Sequence, residues 1–112
     1  MSRRVVAVVD DMFFASKIRA VAEAVGVEVS FPRSKEALIE KAREAQLILV
    51  DLHHQRFDPI DVAHELRGVP MVAFFSHVET ELQRKALAAG FDQVLPRSVF
   101  SRDLPKILSE GL

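Results

Sequence analysis

Leu47-Ile48-Leu49-Val50-Asp51-Leu52 carries four apolar residues straight into a carboxylate. An apolar run of this length, after the helical-looking Ser34–Ala45, is the pattern of a strand buried on both faces of a parallel sheet. The carboxyl ends of such strands border the crevice in which open α/β sheets hold their ligands, and Asp51 stands at that end. A second run, Val5-Val6-Ala7-Val8-Val9, leads in the same way into Asp10-Asp11. Two strands therefore deliver acid to one edge of a sheet.

The 112 residues suffice for one domain with a real core, and 49% of them are hydrophobic against 28% charged, a globular composition rather than a disordered one. The net charge is −1, with lysines and arginines scattered rather than massed, so no nucleic-acid footprint is expected. No apolar run reaches the roughly 18 residues of a membrane span. The N-terminus shows no signal-peptide pattern. Absence of cysteine excludes disulfides, thiolate metal sites and thiol catalysis, and fits a cytoplasmic location.

Outward from the two strands, the punctuation repeats one unit. A helix is expected from about Phe13 to Val25, with Phe14, Ile18, Val21, Ala22 and Val25 at helical spacing and Gly26 as its cap. Val27–Phe31 gives a short strand, and Ser34 caps a helix over Lys35–Ala45. After the Leu47–Val50 strand and a loop over Asp51–Phe57, Asp58-Pro59 opens a helix to Arg67 with an N-cap aspartate and a first-turn proline. Met71–Phe75 is the most hydrophobic strand and ends at Ser76. Glu79–Ala89 is a helix closed by Gly90, Gln93–Leu95 a fifth strand, and Arg102–Ser109 a last helix capped by Ser101. Strand and helix thus alternate five times over short connections, which implies an α/β fold with a parallel sheet covered on both faces.

Asp10-Asp11 ends the first strand, Asp51 the third and Ser76 the fourth; Asp58 follows Asp51, and Ala88-Ala89-Gly90-Phe91-Asp92 turns into the fifth strand. In this order and register the chain resembles a response-regulator receiver domain of two-component signalling over nearly its whole length. The resemblance implies a flavodoxin-like, doubly wound sheet of five parallel strands in the order 2-1-3-4-5, forming a single receiver-like domain over residues 1–112 with no effector domain. It further implies that Asp51 accepts a phosphoryl group, that Asp10 and Asp11 together with Asp51 hold Mg²⁺, and that Ser76 meets a phosphate oxygen. A carboxylate can attack phosphorus. Magnesium takes one or two carboxylates plus waters and phosphate oxygens. The charge on the transferring oxygens then calls for a cation and a hydroxyl donor. The implied partners are a histidine kinase or phosphotransfer protein and a downstream protein target, met through the last strand and helix, a face that also serves homodimers. Such a domain is a signalling module rather than an enzyme, with at most slow self-phosphorylation and dephosphorylation.

The chain also departs from that family. Arg97 stands where lysine is usual and Ser98 where a proline follows, and a guanidinium is no neutral replacement for an ammonium. Arg97 has two readings: a phosphate clamp, or a standing ion pair with Asp51 that neutralises the acidic pocket and makes a phosphorylation-independent interaction module. His54 and Gln55 replace Met-Pro, Pro59 replaces glycine, and Val94 takes the place of an aromatic switch residue. Met12-Phe13-Phe14 puts apolar groups beside the acids, either over the pocket or toward a partner. His53 and His54 are expected in a solvated loop, and His64 and His77 have no assigned role. Phe74 and Phe75 belong to the core, whereas Val94, Val99 and Phe100 lie toward the partner face. No Gly-rich phosphate loop, hydrolase triad or helical zinc motif is present. A flavodoxin-like small-ligand binder at the same crevice is a third reading, without a loop suited to a flavin phosphate.

Overall fold

A computed structural model describes residues 3–111. Strands and helices alternate as β1 (Arg4–Val8), α1 (Met12–Val25), β2 (Glu28–Ser30), α2 (Lys35–Ala42), β3 (Leu47–Asp51), α3 (Pro59–Glu65), β4 (Met71–Phe75), α4 (Thr80–Ala89), β5 (Gln93–Pro96) and α5 (Arg97–Glu110). The five strands pair in parallel in the order β2-β1-β3-β4-β5, the doubly wound flavodoxin-like arrangement. Val8 lies opposite Val50, Asp51 opposite Phe74 and Phe75 opposite Pro96. That register brings the residues following each strand to one edge.

All of β3 and β4 is buried, and alternate side chains feed two cores. Val6, Val8, Ile48, Val50, Met71 and Ala73 meet α2, α3 and α4, while Val5, Ala7, Leu47, Leu49, Val72 and Phe74 meet α1 and α5. The period of two along each strand sorts the residues this way. In the second core Phe74 stacks on Phe100 at 4.5 Å between ring centres and tilts against Phe14 at 5.0 Å.

Ser34, Asp58 and Gly26 cap as expected, and Asp11 adds a cap that was not. The side chains of Asp11, Ser34 and Asp58 each accept from backbone N–H groups at the starts of α1, α2 and α3, and Gly26 closes α1 with φ 75°. α5 differs from expectation: it starts at Arg97, not Arg102, and Ser101 lies inside it rather than capping it. A start at Arg102 would put Pro105 in the first turn, where proline costs little. The structure instead tolerates Pro105 within the helix, because Phe100, Leu104, Ile107 and Leu108 form one buried stripe that exists only if Phe100 is helical. Phe100 is therefore core, fully buried, and not part of a partner face. α2 and α3 end short of expectation, at Ala42 and Glu65.

Candidate functional site

Asp51 ends β3 in the middle of the sheet. It is the one charged or polar residue among those described that is buried, at 8% exposure. Its Oδ1 accepts the His53 N–H at 2.8 Å, and no hydrogen bond among the described residues engages Oδ2. Asp10, just past β1, is exposed; its Oδ2 accepts weakly from the Gln55 N–H at 3.4 Å and lies 3.9 Å from His54 Nδ1. The ends of the paired strands β1 and β3 thus bring the Asp10 carboxylate and an Asp51 oxygen without a hydrogen bond to one edge of the sheet.

Asp11 is arranged differently. Its Oδ1 accepts the N–H groups of Phe13 and Phe14 at 3.0 and 3.1 Å, capping α1, and its Oδ2 accepts from the Arg97 guanidinium at 3.1 Å. The Phe14 backbone hydrogen bond, with Arg97 adding to it, holds the Asp11 carboxyl below the usual aspartate value. Arg97 itself lies 4.0 Å over the ring of Phe14, a cation–π contact that fixes the guanidinium from below. The ion pair of Arg97 therefore runs to Asp11; the pairing with Asp51 weighed from the sequence is not formed.

Ser76 is the first residue after β4 and is exposed, and the Phe75–Pro96 pairing sets it and Arg97 at the same edge. Its hydroxyl makes no hydrogen bond among the described residues, which leaves it available. Of the acids, Asp10 and Asp51 converge from adjacent strands, but no three metal-binding side chains among the described residues group closely enough to hold a cation. Asp11 is withdrawn by the cap and by Arg97. Asp10 and Asp51 could supply the one or two carboxylates that a magnesium ion takes, while both oxygens of Asp11 already accept hydrogen bonds.

Two residues carry more than sequence reasoning gave them. His54 is not solvated: its side chain is 4% exposed, its ring packs on Phe57 at 5.1 Å, and its Nδ1 accepts the N–H groups of Arg56 and Phe57. Burial pushes its imidazole below the usual histidine value, against the opposing pull of Asp10 and Asp51. The signal was available, since His54 occupies a place where methionine, an apolar residue, is usual. Phe14 is the other: it is core by its helical spacing, and that position makes it the platform under Arg97. Phe13, by contrast, is 91% exposed beside Met12 at 81%, and does not close the pocket.

The fold, five parallel strands in the order 2-1-3-4-5 with five helices, has close parallels among solved structures. A CheY-like response regulator receiver domain protein from Methanospirillum hungatei JF-1 superposes with a TM-score of 0.81 at 22% identity, covering 98% of this chain and 93% of that one. The chain has the receiver-domain fold. Chemotaxis response regulator CheY4 of Vibrio cholerae matches over the full length of both chains with a TM-score of 0.79 at 18% identity. A receiver domain from Bermanella marisrubri matches with a TM-score of 0.79 at 22% identity, over 95% of this chain and 94% of its own. No protein-family profile and no curated protein sequence matches the chain. The receiver-domain fold is thus kept here at sequence identities that carry the backbone plan but not the function.

Proposed function

We propose that the chain is a response-regulator receiver module that accepts a phosphoryl group on Asp51 and signals through changed protein contacts. The observation that carries this reading is the buried Asp51 carboxylate with one oxygen free, beside Asp10 and within the edge that also holds Ser76 and Arg97. The free Oδ2 attacks phosphorus, the donor's bond to phosphorus breaks with its electrons leaving on the donor, and an acyl phosphate forms on Asp51. A magnesium ion held by Asp10 and Asp51 would neutralise the oxygens that approach them. Arg97, already anchored on Phe14, supplies a guanidinium for the phosphoryl oxygens, and Ser76 supplies a hydroxyl donor.

Because Arg97 holds Asp11 rather than Asp51, the nucleophile is left unpaired, which favours phosphoryl acceptance over a permanently neutralised pocket. The phosphoryl group then competes with Asp11 for the guanidinium. That exchange changes the first turn of α1 and the start of α5 together, and gives partners two surfaces to distinguish. A histidine kinase or phosphotransfer protein is the donor this chemistry calls for, with a downstream protein as reader.

Radiolabelled acetyl phosphate with Mg²⁺ tests the reading. The label should be incorporated, be released by hydroxylamine as an acyl phosphate is, and be missing from Asp51→Asn. Incorporation that survives in Asp51→Asn would place the acceptor elsewhere.

A further inference from the structure

At the sheet edge beside Asp10 lies a cleft of about 340 Å³, most of whose lining has no part in phosphoryl transfer. Arg19 reaches it from α1, Arg33 from the segment after β2 and Arg56 from the loop after β3, while Asp10 is the one carboxylate lining it. All three arginines are exposed, and none makes an ion pair among the described residues. Arg4, Arg84, Arg97 and Arg102 each have a carboxylate partner and, among the described residues, Arg3, Arg43 and Arg67 do not, so it is the gathering of Arg19, Arg33 and Arg56 around one cleft that sets them apart. Arg33 and Arg56 also border a neighbouring cleft that holds Asp58, Asp61 and Glu65, but neither forms an ion pair with them, and a bound anion relieves the mutual repulsion of the three guanidinium groups. The planar fork of guanidinium suits phosphate oxygens in particular.

The remaining walls are mostly apolar, with Ser16 and His54 as the exceptions. Phe31 and Phe57, both half-buried, line the cleft, and the Arg19 guanidinium lies 4.6 Å over the Phe31 ring. The cleft also sits beyond the carboxyl ends of β2, β1 and β3, where the strand order reverses direction, the place where open α/β sheets hold ligands. Its volume is near the lower end of the roughly 300–1,000 Å³ of small-molecule pockets.

We propose that this cleft binds a small phosphate ester carrying a planar ring, of mononucleotide size, with the phosphate on Arg33 and Arg56 and the ring against Phe31 and Phe57. Here arginine side chains take the part that backbone amides play in glycine-rich phosphate loops, which this chain lacks. The site adjoins Asp10 but needs neither Asp51 nor a metal ion.

Calorimetric titration of the whole chain in magnesium-free buffer, with AMP, GMP and flavin mononucleotide as probes beside inorganic phosphate and adenosine, tests it. At least one ester should bind about tenfold or more tighter than inorganic phosphate, adenosine should give no heat, and Arg33→Gln and Arg56→Gln should each weaken the ester about tenfold. Both substitutions are at exposed positions, and the double variant should take up phosphate on Asp51 as the unaltered chain does, so the two readings fail separately. Silence from all three esters, equal binding of inorganic phosphate, or undiminished binding by the double variant would overturn the proposal. Binding of a poly-glutamate peptide in their place would assign the cleft to an acidic protein surface instead.

Discussion

Asp11 serves at once as the N-cap of α1 and as the ion-pair partner of Arg97. Its two oxygens are already committed, so Arg97 decides how readily the site opens. Replacing Arg97 by lysine exchanges a planar, ring-stacked fork for a compact point charge. Arg97→Lys is expected to weaken the hold on Asp11 and to raise the rate of phosphoryl uptake from acetyl phosphate, read by time-resolved mass spectrometry; a slower rate would show that the fork itself clamps the phosphate. His54 gives a pH prediction. Its folded-state pKa lies below the ordinary 6.5, so the unfolded chain takes up the proton first as the pH falls. Stability is therefore full above about pH 6.5 and declines from there toward the depressed folded pKa. Thermal midpoints recorded from about pH 8 to pH 5 should fall across that window, and the slope should flatten in His54→Met, which removes the titrating group but keeps an apolar side chain in the slot.

At the scale of elements, the starts of α1 and α5 are bound together by the Arg97–Asp11 pair and by the Phe14–Phe74–Phe100 cluster. Asp11→Ala removes the cap and should cost about 0.5–2 kcal/mol in urea unfolding, with little added by the half-exposed ion pair. Phe100→Ala empties a fully buried site and should cost about 3–5 kcal/mol. A much smaller loss would mean that α5 does not depend on the Phe100 stripe for its early start. These elements also mark where sequence reasoning reached its limit. Helix starts with a cap residue, such as Ser34 and Asp58, were legible because the capping side chain is local. The start of α5 was not, because Pro96 offers no side-chain cap and tertiary burial of Phe100 outweighs the local preference of Pro105.

Across the whole molecule, the strand–helix alternation and the burial of β3 and β4 were readable from continuous apolar runs punctuated by glycine, proline and aspartate, while the sheet order came from the resemblance to receiver domains. The edge that gathers Asp10, Asp51, Ser76 and Arg97 followed from that topology, since parallel strands all finish on one side. Pairings between side chains were not readable. Whether Arg97 turned to Asp51 or to Asp11 depended on the aromatic platform beneath it, and whether His54 was wet or dry depended on where Phe57 packed. The resulting molecule leaves one oxygen of Asp51 without a hydrogen bond among the described residues and holds Arg97 on Asp11, which also starts α1.

The most direct measurement is the intact mass of the chain after incubation with acetyl phosphate and Mg²⁺, beside Asp51→Asn and Arg97→Lys treated alike. A free Asp51 predicts the addition of one phosphoryl group to the unaltered chain and to Arg97→Lys, and none to Asp51→Asn. No adduct on either the unaltered chain or Arg97→Lys would contradict it.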